Sequence, residues 1–128
     1  MSARVCFIIA AVSGFIVVTL GAFASHMLRG TLSDRLYDVF QTGVQYQMFH
    51  TLALLLVGVL LDRHRSKLLS GSALLFALGI LLFSGSLYLL AISGTRWLGA
   101  ITPLGGVLFL SGWLMLAIAQ IRRRESDS

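Results

Sequence analysis

LLSGSALLFALGILLFSGSLYLLAIS, residues 68–93, carries no charged side chain. A hydrocarbon core about 30 Å thick needs roughly 20 apolar residues in helical form, and this run exceeds that. A water-soluble fold would have to wrap it in polar surface, which the chain lacks. Hydrophobic residues make up 57% and charged residues 12%, with a mean hydropathy of +0.89, whereas a soluble domain carries about 25% charged residues. Lipid is the solvent that suits such a chain.

Outward from this segment the pattern repeats. Val5 to Ala24 is uncharged, Val44 to Leu61 is polar at its start and wholly apolar after Thr51, and Trp97 to Ile121 is interrupted only by Thr102-Pro103. Proline suits the first turn of a helix and threonine the N-cap, so regular helix is expected from Pro103, with Trp97 to Ile101 as an interfacial approach. The expected fold is all-α: a four-helix transmembrane bundle forming one integral membrane domain over residues 1–128. Between the first two spans Thr31 or Ser33 can cap a helix. Leu32, Leu36, Val39 and Phe40 then share one face, with Asp34, Arg35 and Asp38 pointing elsewhere. That pattern predicts a short amphipathic helix on the outer membrane surface, ending before Gly43 and the second span.

The net charge of +5 and pI near 10.4 do not indicate nucleic acid, because the cations sit at the ends of apolar runs. With four spans, both termini share a side with the loop between spans two and three. Arg4, Arg63, Arg65, Lys67, Arg122, Arg123 and Arg124 fall there, against Arg29, Arg35 and Arg96 opposite. The positive-inside rule then places both termini in the cytoplasm. Arg4, the apolar run and Ala22-Phe23-Ala24 also imitate a signal peptide. The run is as long as a full span, so it is read as retained; cleavage would leave three spans in the same orientation. The single cysteine, Cys6, cannot form an intrachain disulfide.

Helices in lipid approach closely where residues are small. Such residues recur every seven positions: Gly14 and Gly21; Thr51 and Gly58; Ser72, Gly79, Ser86 and Ser93; Gly105, Gly112 and Ala119. A seven-residue register predicts a left-handed bundle crossing near +20°. Gly14, Gly21, Gly58, Gly79, Ser86, Gly105 and Gly112 are its candidate packing positions. The alternative is that glycine and serine are simply common in membrane helices.

Polar groups collect in the outer half of the spans. Counting at 1.5 Å per residue from the cytoplasmic charges, His50 lies about 18 Å up, Tyr46 about 24, Ser84 about 25, Thr102 about 30, Tyr88 about 31 and His26 about 33. Tyr46, Gln47 and His50 are neighbours on one helix. His26, Tyr46, Gln47, His50, Ser84, Tyr88, Arg96 and Thr102 are therefore expected to form an outward-facing polar pocket, with Gln47 and Arg96 near its rim. Two readings stay open: hydrogen bonds that fix the bundle, or a site for a small molecule, lipid or partner helix. His26 and His50 lack a cysteine or carboxylate at ligand spacing, so a metal or haem redox protein is the weaker alternative, and no metal, cofactor or catalytic residue is assigned. An oligomeric transporter or channel subunit is a further alternative, although no Asp or Glu lies within a span to relay protons. Arg96-Trp97 reads as an interfacial anchor. Expected partners are the lipid bilayer and either a second copy or another membrane protein.

Four segments carry a resemblance. Gly21-Ala-Phe-Ala-Ser-His26, Tyr46-Gln-Met-Phe-His50, Leu82-Phe-Ser-Gly-Ser-Leu-Tyr88 and Arg96-Trp-Leu-Gly-Ala-Ile-Thr-Pro-Leu-Gly-Gly106 resemble the YgdD/YwdK-like family of small bacterial inner-membrane proteins. That family typically reads Gly-Ala where this chain has Ala24-Ser25. The resemblance covers nearly the whole chain and implies four spans in the inner membrane. It brings no known substrate, cofactor or catalytic residue.

Overall fold

A computed structural model describes the backbone of residues 1–127 and the side chains of residues 1–123; the side chain of Arg124, counted above among the charges near the termini, lies outside them. Among the described residues the chain is helical without strands, and four helices are long and apolar enough to cross a membrane. α1 spans Ala3–Leu28, α2 Asp34–Arg63 and α3 Lys67–Ser93. A 3₁₀ turn, Arg96–Ala100, leads into α4, Thr102–Asp127. Serine hydroxyls cap three of the four starts: Ser2 accepts from the Val5 N–H, Ser33 from Leu36 and Ser66 from Leu69, each at 3.2 Å. Each satisfies an N–H that has no partner inside the helix. α3 ends on Gly94, whose φ of 70° lets its N–H reach the Leu90 carbonyl at 2.8 Å, a left-handed turn that favours glycine.

Two expectations need correcting. No separate amphipathic helix precedes the second span: Ser33 starts one helix that runs unbroken from Asp34 to Arg63. Gly43 does not end a helix; it lets the Tyr88 ring lie against the backbone, where a Cβ would come within 2.8 Å of that ring. The predicted apolar face exists, but it packs inward, with Phe40 buried and Leu32 and Val39 against the same cluster. α4 also begins at Thr102, not Pro103. Its first turn is anchored by the Ile101 carbonyl, which accepts from Leu104 and Gly105, while the Thr102 hydroxyl turns to Ser86, 2.6 Å away.

The helices pack in chain order: α1 on α2, α2 on α3, α3 on α4. α2 is central, with 50% of its membrane-length window buried against 22% in α1 and in α4. α3 carries a π turn at Ile80–Ser84 and α1 another at Ala24–Leu28. Toward the termini, Cys6, Leu54, Val57, Leu69 and Phe76 form the core; toward the opposite end, Val17, Phe40, Val44 and Ala91 do.

The α3–α4 seam is the closest. A Cβ on Gly105 would stand 2.4 Å from the Phe83 backbone nitrogen; on Gly79 it would meet the Phe109 ring at 2.5 Å, and on Gly112 the Phe76 ring at 2.8 Å. The Ser72 hydroxyl adds a bond to the Gly112 carbonyl at 2.8 Å. Gly58 takes the same role toward Phe7 and Cys6 of α1. Gly14 and Gly21 differ, since a methyl there would sit 3.9 Å from Thr51 and 3.6 Å from Val44, ordinary contact. Gly71, against Met115 at 2.5 Å, lies outside the seven-residue register and was not anticipated.

Candidate functional site

The polar residues on α2 divide between two neighbouring sectors of the helix. In the first, the Gln47 amide donates to the Ser13 hydroxyl at 3.1 Å and the Ser13 carbonyl at 3.3 Å. Its carbonyl oxygen accepts from the Tyr88 hydroxyl at 2.6 Å, and Thr51 closes the group at 2.7 Å from Ser13. Ser84 donates beside it to the Gly43 carbonyl at 2.7 Å. Gln47, Thr51, Ser13 and Ser84 are all buried. These groups join α1, α2 and α3, and their polar atoms find partners inside the protein, as an apolar solvent demands.

In the second sector, His50 faces α4. The Trp113 indole N–H can only donate, and it reaches His50 Nε2 at 3.1 Å. Nε2 is therefore the acceptor, so the proton sits on Nδ1, which donates to the Tyr46 carbonyl at 2.8 Å. His50 is thus neutral with both nitrogens bonded. Its ring stacks on Phe109, centroids 3.5 Å apart and 7° from parallel. Beside it, α2 and α4 stand apart and leave a cavity of about 670 Å³, lined by Tyr46, Phe49, Phe83, Val107, Leu110 and Trp113 among others. The floor is Phe83 of α3, held against Gly105. The mouth opens on the flank of the protein, where Phe49, Val107 and Leu110 are 60%, 58% and 71% exposed.

The eight residues expected in one pocket thus occupy separate places. Gln47 and Tyr88 bond each other, with Ser84 beside them. Tyr46 and His50 line the groove. Thr102 pairs with Ser86 across the α3–α4 seam. His26 and Arg96 are exposed and join none of these groups. A shared outer-half position did not bring them together, because α1 packs chiefly on α2, and depth says nothing about which way a side chain points around its helix. Trp113, Phe109 and Ser13 were missed. A tryptophan or serine in an apolar run reads as filler until its partner across the interface is known. Among the described residues no three of His, Cys, Asp and Glu gather as a metal site would require.

The fold defines a helical polytopic membrane protein with an apolar groove in its flank. A family model described as a protein of unknown function (DUF423) matches residues 20–106. The chain is 47% identical over 125 residues to the UPF0382 inner membrane protein YgdD of Escherichia coli (strain K12), covering 98% of this chain and 95% of that protein. It is 43% identical over 121 residues to the UPF0382 membrane protein YwdK of Bacillus subtilis (strain 168), covering 93% and 98%. No solved structure matches. The chain belongs to this family of membrane proteins of unknown function.

Proposed function

We propose that this is a non-enzymatic protein of the inner membrane, both termini cytoplasmic, whose α2–α4 groove holds the apolar chain of a lipid drawn from the outer leaflet. One observation carries the reading. The groove opens sideways through exposed apolar side chains, and its polar atoms at His50 and Trp113 already bond each other and Tyr46. Such a site offers a largely aromatic, apolar wall, its remaining polar side-chain groups being those of the exposed residues Gln45 and Tyr46, which suits a hydrocarbon chain better than a polar solute. From Pro103 to Trp113 it runs about 15 Å along α4, half the thickness of a bilayer core. The polar groups in the Gln47 sector act as the bonds that fix the helices.

A phospholipid with a photoreactive acyl chain tests this in native-like membranes. Labelling should concentrate on Phe49, Val107 and Leu110, and Val107→Trp should suppress it there without changing the background on Phe15 and Val18 of α1, which are 77% and 68% exposed. Uniform labelling of every lipid-facing surface rejects the groove. Orientation is tested separately: reporter fusions after Lys67 and at the carboxyl end should read cytoplasmic, and one after Arg96 periplasmic. The reverse pattern overturns the topology, and a mature chain starting at Ser25 overturns retention of α1.

A further inference from the structure

The end of the protein that bears both termini holds two clefts, remote from the groove and independent of its reading. They flank the short loop between α2 and α3. One, about 670 Å³, lies between that loop and the start of α1 and is lined by Arg4, Arg63, Arg65 and Lys67. The other, about 330 Å³, lies between the loop and the end of α4, where Arg122 and Arg123 join Arg65 and Lys67. Among the described residues a single carboxylate, Asp62, lines the first cleft. We propose that these clefts bind the phosphate of an anionic ligand, with the headgroup of an anionic phospholipid as its source at the bilayer surface.

The orientation rule explains why cations favour one side of a membrane, not why they gather around concave space. Loops of one sign could hold their charges apart in water. Here two separate chain segments bring Arg4 and Arg63, Arg65 and Lys67 to the first hollow, where like charges repel and an anion relieves the repulsion. Arginine suits phosphate because its planar fork presents paired donors, and lysine adds a point charge. The clefts also lie at the right level. α1 starts at Ala3, α2 ends at Arg63 and α3 starts at Lys67, so the hollows open where apolar helix gives way to headgroups. Basic pockets between membrane helices at this level are a recurring way of holding anionic lipid. Ser70 ties the wall of the first cleft together by donating to the Met1 carbonyl at 3.0 Å.

Thermal melting of the full chain in neutral detergent tests the site, with phosphatidylglycerol, phosphatidylcholine or inorganic phosphate added. Phosphatidylglycerol should raise Tm by about 5 °C at saturation, and phosphatidylcholine should not. Arg65→Gln combined with Lys67→Gln changes two exposed residues common to both clefts. It should leave the lipid-free Tm in place and remove most of the shift, while Arg29→Gln with Arg35→Gln at the opposite end should remove none. An equal shift with inorganic phosphate, lost in the same variant, keeps the anion site and assigns its source to solution. Equal shifts with both lipids, or a full shift in the Arg65→Gln/Lys67→Gln protein, overturn the proposal.

Discussion

Gln47 and His50 are three residues apart on α2, close enough to be neighbours on its surface, yet their surroundings differ. Gln47 points where α1 and α3 both press on α2, and Ser13 and Tyr88 saturate it. His50 points where α4 stands off, bridged by Trp113 and the stacked Phe109 ring. One sector is closed and the other borders open space. A polar residue in a membrane helix is thus neither glue nor site by its chemistry alone; the spacing of the neighbouring helices decides. In this protein that spacing is set by glycine, since Gly105 lets α4 touch the backbone of α3 and so fixes how far α4 stands from α2.

The largest effect should come from that hinge of the comparison. Gly105→Leu would drive a side chain into the Phe83 backbone, and no rotamer change can relieve a clash with main chain. A loss of about 3 kcal/mol or failure to assemble is expected, at the upper end for overpacking. Gly79→Leu and Gly112→Leu, which meet aromatic rings that have some freedom to turn, should cost less but still lower Tm clearly. Val59→Leu, on an exposed position, should leave Tm unchanged. Equal melting in detergent for all four proteins would show that these close approaches do not hold α4 in place.

Within the closed sector, Gln47→Ala removes an acceptor from Tyr88 and a donor from Ser13 at once, at a buried position. A loss of about 2 kcal/mol is expected. Tyr88→Phe removes one bond of that group and keeps the ring against Gly43 and Phe40, so about 1 kcal/mol is expected. Equilibrium unfolding in mixed micelles would measure both. If Gln47→Ala cost no more than Tyr88→Phe, the group would not be acting as one network.

Much of the fold was legible because its determinants are local. Span length, the charges at span ends and the serine caps can all be read within a few residues. The α2 boundary was misread at Gly43, since an isolated glycine weakens a helix by about 1 kcal/mol and looks like a stop; its reason for being there is Tyr88, 45 residues on in the chain. The site was legible only in its axial coordinate. Tyr46, Gln47, His50, Ser84, Tyr88 and Thr102 do lie between helices or along a groove, but their grouping depends on rotation about each helix axis. The π turn at Ile80–Ser84 accommodates one residue more than a regular turn, although Gly79 before it and Ser86 after it both face α4. No sequence pattern marked that turn, and nothing local tied Trp113 to His50.

The smallest expected effect sharpens the comparison most. Trp113→Phe keeps an aromatic ring against Phe76 and Phe49, now 4.9 Å and 5.6 Å away by centroid, and deletes only the N–H that His50 Nε2 accepts. That face borders the groove, so neighbouring side chains have room to shift around the smaller ring, and Nδ1 keeps its bond to the Tyr46 carbonyl. The cost should be about 0.5 kcal/mol, below that of Tyr88→Phe, although each change removes one hydrogen bond. Nitrogen NMR of the labelled histidines supplies a second readout. The Nε2 resonance of His50 should move toward the unbonded position, while exposed His26 and His64 stay where they are. A Trp113→Phe cost above that of Tyr88→Phe would mean that the His50 sector is as closed as the Gln47 sector. An unmoved His50 resonance would mean that the indole does not bond the imidazole at all, and the groove would then lose its only polar crosslink between α2 and α4 among the described residues.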